Sequence, residues 1–328
     1  MKVAIVGGTG NISTSIVSLL LRNGHDVTCY NRGVSGALPD GVRHIRGDRT
    51  DRNAFEQSMQ QGRFDAAIDM MGFNAEDARS SIRAFRGVRH FVQCSTVCAY
   101  GVDPDWMPVT EDHPLRPTTA YGRGKAEADA VYLAAHYAEG FPVTIIRPST
   151  TYGPKQGLIR QIARDYAWLD RIRKGKPIVT GDGSLAHQFL HVEDAAKAFV
   201  GVLGKPWCIG QTYNMVRRGF TRWGEYHRAA MRVIGRQVEM VCVPGDILEA
   251  IDRDLFAYHV EMFAYDLYFS SEKLYRDVPE FQPTASLEAQ MAGVLEAMDR
   301  TGMIPDSDAL QWEDRLIQAQ RAVSNVRV

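Results

Sequence analysis

The sequence predicts an α/β fold, a doubly wound parallel sheet joined to a smaller, helix-rich C-terminal lobe. Three observations carry that expectation. An all-apolar stretch at the start runs straight into a glycine turn and an amphipathic helix, strand-like and helix-like segments then alternate as far as Arg147, and beyond Arg147 the alternation weakens.

The first unit is Lys2-Val3-Ala4-Ile5-Val6, then Gly7-Gly8-Thr9-Gly10-Asn11-Ile12-Ser13, then an apolar face of Ile16, Val17, Leu19, Leu20 and Leu21. A short strand apolar on both faces suits a parallel sheet covered on both sides. The turn offers backbone N–H groups at a helix N-terminus, where a pyrophosphate is favoured. Gly7 makes the tight turn, Gly10 admits the phosphates, and Ser13 is small enough for the position where a third glycine is common. A plain structural turn is the alternative. The second strand, Asp26 to Tyr30, ends in Asn31-Arg32 rather than in an acid that would hold the ribose of NAD, so the cofactor is NAD or NADP with the lean toward NADP. An exposed loop arginine is the other reading.

The pattern repeats down the chain. Val42–Arg46 is a third strand, and Asp51 caps a helix running through Met59. Residues 64–69 and 88–94 are strands, Ala75–Phe85 is a helix, Tyr121–Tyr137 is a long helix, and 141–147 is a sixth strand that Pro148 stops. Later helices are expected at 192–200, 222–234, 287–298 and 310–320, with short strands near 177–179, 212–215 and 238–243. The connection from Ala99 to Ala120 is long and rich in proline, which marks a functional loop.

With 328 residues, 45% of them hydrophobic and 23% charged, the chain can bury a sizeable core. A net charge of −1 without long runs of one sign argues against nucleic-acid or membrane partners. The N-terminal strand is too short for a signal peptide and no apolar run reaches a membrane-spanning length, so the expected location is the cytoplasm. Five scattered cysteines read as buried free thiols, and their spacing gives no zinc site, so no metal is expected.

Tyr121 and Lys125 lie four residues apart at a helix start and share a face. The fifth strand ends in Cys94-Ser95-Thr96 and delivers hydroxyls to the same edge of the sheet. Together they suggest a proton-transfer site. Lowering a tyrosine pKa from about 10 to about 7 takes roughly 4 kcal/mol of preference for the phenolate, which nearby positive charge supplies. A chance pair, with Tyr121 packing and Lys125 solvated, is the alternative.

These motifs, with Gly47-Asp48, Tyr100-Gly101, Arg147-Pro148, Tyr152-Gly153-Pro154 and His191-Val192-Glu193-Asp194-Ala195, resemble the extended short-chain dehydrogenase/reductases, and within them the NAD(P)-dependent sugar-nucleotide epimerase/dehydratase group. The resemblance covers nearly the whole chain. It implies that residues 1–150 form a dinucleotide-binding Rossmann domain, that about 188–216 return to it, and that 151–328 are mainly a substrate-binding lobe. By the same resemblance Tyr121 is the general base, Lys125 holds the nicotinamide ribose and Thr96 bonds the reacting oxygen. The implied cofactor residues are Gly7, Thr9, Gly10, Asn11, Ile12, Asn31, Arg32, Asp48, Arg49, Met71, Gly72, Cys94, Tyr121, Lys125 and Pro148. Candidate substrate residues are Asn74, Cys98, Thr150 and His187. The helices 75–85 and 121–137 resemble those the family pairs into a homodimer.

Departures from the family pattern bear on substrate. Val97-Cys98 stands where the sugar 4,6-dehydratases carry an acidic pair, so that elimination is disfavoured. Thr150 and His187 replace an asparagine and an arginine, which weakens the case for a nucleotide sugar; His187 as a loop residue is the plainer reading. Glu111 and Asp112 are expected to be solvated or capping, Trp106 to shape the pocket or pack, and Arg173, Lys174 and Lys176 to form a solvated face. The expected function is epimerisation or oxidoreduction by hydride transfer on a sugar-derived, small-molecule substrate. The alternatives are an NADPH-dependent carbonyl reductase and, in another class, a non-catalytic cofactor-sensing or RNA-binding relative.

Overall fold

The computed structural model describes residues 1–324, and the chain divides into two compact units. The first comprises Met1–Thr151, Phe189–Arg218 and Phe269–Pro283. Its labelled elements are β1 (Lys2–Val6), α1 (Asn11–Arg22), β2 (Asp26–Asn31), β3 (Arg43–Arg46), α2 (Arg52–Gly62), β4 (Ala66–Asp69), α3 (Ala75–Ala84), β5 (His90–Cys94), α4 (Ala120–Glu139) and β6 (Val143–Pro148). Among the described residues the main sheet has seven strands, in the order Thr212–Met215, β6, β5, β4, β1, β2, β3. All its pairings are parallel. The chain therefore winds outward in both directions from β1 and β4, which sets the strand ends of both halves along one edge.

Alternation along the strands sorts the core into two layers. Val3 and Ile5 of β1 pack with α1 and the helix Val192–Gly201, whereas Ala4 and Val6 face Phe55, Phe85 and Tyr132 of α2, the α3 end and α4. The edge strand β3 carries Arg43 and Arg46, charges that oppose pairing with another sheet. Asp51 caps α2 by accepting from Ala54 N–H, as the sequence indicated. β6 ends at Pro148, which is itself the last strand residue, one beyond the expected Arg147 and in register with Met215, because a terminal position tolerates a missing N–H.

The second unit comprises Tyr152–Gln188, Gly219–Tyr268 and Thr284–Val328, of which residues 325–328 lie outside the described chain. Its helices include Ala167–Lys174, Trp223–Ile234, Leu287–Arg300 and Trp312–Ser324. Ile178–Thr180 pairs in parallel with Met240–Cys242, and Ala186–His187 pairs antiparallel with Thr221–Arg222. The core combines Ile162, Val179, Val243, Leu248 and Phe256 with a cluster of tilted and edge-on Trp168, Trp223, Tyr226 and Phe263 rings. The basic patch is not a free solvated face: Arg173 pairs with Asp299, Lys174 with Asp170, Asp306 and Asp308, and Lys176 with Asp308.

Candidate active site

The turn after β1 is built from backbone. Gly7 and Gly8 have φ of +114° and +105°, and a Cβ on Gly8 would stand 2.6 Å from Cys29 Sγ. Both positions thus require glycine. Gly10 is the N-cap of α1, and its N–H donates to Ser13 Oγ at 2.9 Å. The serine in place of a third glycine therefore serves the turn directly. The first turn of α1 holds no acid, so its partial positive charge is unopposed there. Thr9 is buried, Ile12 half-buried, and Asn11 Nδ2 lies 3.5 Å from Thr151 Oγ1.

At the end of β2, Asn31 Nδ2 donates to Gly7 O at 2.7 Å and its Oδ1 accepts from Gly33 N–H at 2.8 Å. Arg32 is exposed, and Arg46 Nε donates to its carbonyl at 3.0 Å. Asp48 accepts twice from Thr50, which holds its carboxyl below the ordinary range. Arg49 points inward, pairing with buried Asp69 at 3.1 Å and lying over the Phe55 ring. Met71 is exposed and Gly72 buried.

The start of α4 is wedged against two loops. A Cβ on Gly122 would meet Cys98 O at 2.6 Å, and one on Gly124 would meet Phe73 O at 2.4 Å. Glycine at both positions lets the helix carrying Tyr121 and Lys125 approach the segments that follow β4 and β5. Tyr121 is 48% exposed, whereas Lys125 is 1% exposed, and Lys125 Nζ donates to Gly72 O at 2.9 Å and to Cys94 O at 2.6 Å. The ammonium lies 5.9 Å from the Tyr121 ring centroid and 4.6 Å from that of Phe73. Thr96 is buried, and its Oγ1 accepts from Cys98 N–H as the cap of the 3₁₀ turn Val97–Tyr100.

Below this pair lies a buried polar network. Asp129, one turn beyond Lys125 on α4, receives Ser95 Oγ at 2.8 Å, Arg147 Nε at 3.1 Å and Arg147 Nη2 at 3.0 Å on one carboxylate oxygen. Arg147 Nη1 donates to Tyr100 OH, which donates to Asn214 Oδ1, both at 2.8 Å. Burial works against the Arg147 charge, but Asp129 and Tyr100 outweigh it and strengthen the guanidinium's hold on its proton.

This arrangement of glycine turn, strand-end hydroxyl and buried lysine sits inside residues 3–215, which match the model of the NAD dependent epimerase/dehydratase family. The chain belongs to that family. It is an enzyme of the extended short-chain dehydrogenase/reductase type. It is 31% identical over 249 residues to the 2'-dehydrokanamycin reductase of Streptomyces kanamyceticus, covering 75% of this chain and 70% of that protein. It is 28% identical over 229 residues to the chloroplast stem-loop binding protein of 41 kDa b of Arabidopsis thaliana, covering 65% of this chain and 58% of the relative. The fold matches the UDP-glucose 4-epimerase of Thermotoga maritima, solved with UDP-glucose, with a TM-score of 0.74 at 20% identity over 92% of this chain and 99% of that one.

In this family member, not every sequence-selected residue reaches the same place. The Cys94 side chain is buried, and its carbonyl is what touches Lys125. Asn74 caps α3 by accepting from Asp77 N–H, and Cys98 and Thr150 are half-buried. His187 is not a loop residue: it sits in a short strand of the second unit, 5% exposed and stacked on Trp223, where burial pushes it down to about 3. Glu111 is not solvated either, since its Oε1 accepts from Asn214 N–H at 2.9 Å and burial pushes its carboxyl up. Trp106 is exposed, with its indole donating to Thr110, whose hydroxyl donates to exposed Asp112. Of the cysteines, 29, 94 and 208 are buried, Cys98 is intermediate and Cys242 is exposed. Among the described residues no group of three or more His, Cys, Asp or Glu is placed to hold a metal ion, and no helix is long and apolar enough to cross a membrane.

Sequence reasoning passed over Asp129, Asp69 and Asn214. A signal for Asp129 was present, because it stands one helical turn beyond Lys125 on the same face.

Proposed function

We propose that this enzyme transfers hydride at a hydroxyl or ketone of a sugar-derived substrate, with NADP as its cofactor and Tyr121, Lys125 and Thr96 in the reacting positions. The observation that carries the proposal is the buried Lys125 ammonium. It has three N–H donors, and Gly72 O and Cys94 O take two. The third is left for a ribose hydroxyl or the Tyr121 oxygen.

The residues present fit a nicotinamide dinucleotide. Gly7, Gly8 and Gly10, ahead of an acid-free first turn of α1, make a backbone cradle for the pyrophosphate, with Thr9, Asn11 and Ile12 around it. Asp48 and Met71 would flank the adenosine, and Gly72, Cys94 and Pro148 the nicotinamide side. Exposed Arg32, just after β2 and beside Arg46 at the end of β3, supports a 2'-phosphate there. The cofactor, when bound, supplies or accepts the hydride. Tyr121 takes the proton of the substrate hydroxyl in the oxidising direction and returns it to the carbonyl oxygen in the reducing one. Lys125 favours the phenolate by its charge, and Thr96 bonds the reacting oxygen.

His187, stacked in an aromatic core, offers no charge at neutral pH. That favours a substrate without a nucleotide diphosphate, and the reductase relative makes net reduction the direction to test first. The test measures NADPH and NADH binding by fluorescence and turnover on a panel of hexose ketones, aminosugar ketones and UDP-sugars. NADPH should bind more tightly, and Tyr121→Phe should lower turnover about a thousandfold with cofactor still bound. Near-normal turnover by Tyr121→Phe would remove that residue from its role. Salt-sensitive binding of an RNA stem-loop without any turnover would favour the non-catalytic reading.

A further inference from the structure

The Asp129 network is buried beside the reacting pair and reaches the turn that follows β5 from within, through Ser95 and Tyr100. Its members come from separate elements: Ser95 follows β5, Arg147 is in β6, Tyr100 closes the 3₁₀ turn, and Asp129 shares α4 with Lys125. We propose that Asp129 and Arg147 are positioning residues for Tyr121 and Lys125, a buried charge pair that seats α4 on the ends of β5 and β6 and fixes the field at the Tyr121 phenol. The inference rests on the reading of Tyr121 as the general base.

Two features argue for more than packing. First, the seat is made where α4 needs it, because Gly122 and Gly124 bring the first turn hard against Cys98 O and Phe73 O, and Asp129 ties the next turn but one to both strands. Helix depth and rotation, and with them the Tyr121 oxygen, follow from those contacts. Second, Arg147 and Asp129 are 3% and 0% exposed, so water screens their fields little. Asp129 interacts electrostatically with Lys125 on its own helix, with Arg147 from β6 and with Tyr100 from the 3₁₀ turn. Cys94 of β5 interacts electrostatically with Lys125, Asp129 and Asp69 of β4, and Arg147 does so with Glu111 and Lys273. While the pair is intact its charges offset. Removing one partner leaves the other alone, about 12 Å along the helix from Tyr121 in the case of Asp129.

The sign of the effect separates this from a structural role. Asp129→Asn leaves the Arg147 cation uncompensated and should lower the pH at which Tyr121 ionises, whereas Arg147→Met leaves a carboxylate and should raise it, each by about half to one pH unit. The measurement is an ultraviolet difference titration of tyrosinate in the holoprotein saturated with NAD⁺ or NADP⁺, with the Tyr121 signal defined as wild type minus Tyr121→Phe. Opposite shifts support the proposal. A common shift, or none, in two folded variants overturns it while leaving the general-base reading intact. Absence of any near-neutral Tyr121 transition in the wild type would overturn that reading, and this inference with it. Should either charge variant fail to fold, Tyr100→Phe and Ser95→Ala decide. The first strips an acceptor from Arg147 and should lower the midpoint, the second strips a donor from Asp129 and should raise it, and no shift in either overturns the proposal.

Discussion

Both units bury charge, and they do so in different company. In the first unit Arg147 of β6 meets Asp129 of α4, one turn from a lysine on a helix whose first turn presents the exposed Tyr121. In the second, Arg160 pairs with Glu313 at 2.7 Å, and His187 and His227 are enclosed by Trp168, Trp223 and Phe263. The second cluster is at least as deep, and the exposed phenol at its edge, Tyr258, stacks on Phe263 and accepts from Arg164, itself near the surface, rather than from the buried arginine. Burial of a charge alone thus marks a place where folding is demanding. It marks a reactive site only where the buried group bears on an exposed one.

The difference is testable first by acid, which should act most on the second unit. Burial pushes His187 and His227 each down to about 3, against 6.5 unfolded. Below pH 6.5 the unfolded chain takes up protons that these folded side chains refuse until about pH 3. Stability is therefore full above pH 6.5 and falls as pH drops, by up to about 1.4 kcal/mol per pH unit for each histidine. Trp168 and Trp223 are fully buried in the second unit, while Trp106 and Trp207 of the first are 42% and 59% exposed, so tryptophan emission reports mainly on the second. Urea midpoints followed by emission should drop between pH 6.5 and 5. A flat profile would mean that the histidines are already protonated or solvated in the fold.

A second effect should fall on the first unit. Gly122→Ala places a methyl 2.6 Å from Cys98 O, a backbone atom, so α4 must lift at the turn that carries Tyr121. Overpacking of this kind costs about 1–3 kcal/mol, and a misplaced base should lower turnover by tenfold or more. Cofactor affinity should fall less than turnover, because the glycine turn after β1 is untouched and only the α4 contacts to the nicotinamide ribose shift. Equal losses in turnover and cofactor binding would show that the two halves of the site move together.

How much of this the sequence reveals follows the same division. The fold class, the glycine turn and the place of the Tyr121–Lys125 pair on α4 were legible, since each is a local pattern of apolar spacing, φ-permissive residues or helix face. Strand ends shifted by a residue or two, as with β3 beginning at Arg43 rather than Val42, because pairing with a neighbour decides them. The network was not legible. Ser95 and Asp129 are 34 positions apart and Tyr100 and Asn214 are 114 apart, so only the parallel sheet brings them together. His187 shows the opposite failure: its type suggested a ligand or a loop, and the aromatic environment that makes it a core residue comes from Trp223 and Phe263.

The smallest predicted effect returns to the second unit and reverses the sign of the glycine result. Gly293 is exposed in the interior of the helix Leu287–Arg300, and a Cβ there would meet nothing within 4 Å. Alanine at that position loses no close approach and restricts the unfolded chain, so Gly293→Ala should raise stability by somewhat under about 1 kcal/mol with turnover unchanged. The same substitution that injures α4 should thus strengthen this helix, because Gly122 is kept for what the helix must touch and Gly293 is not. Destabilisation by Gly293→Ala in a thermal melt would mean that its helix has a neighbour in the working protein, and the two glycines would then belong to one class.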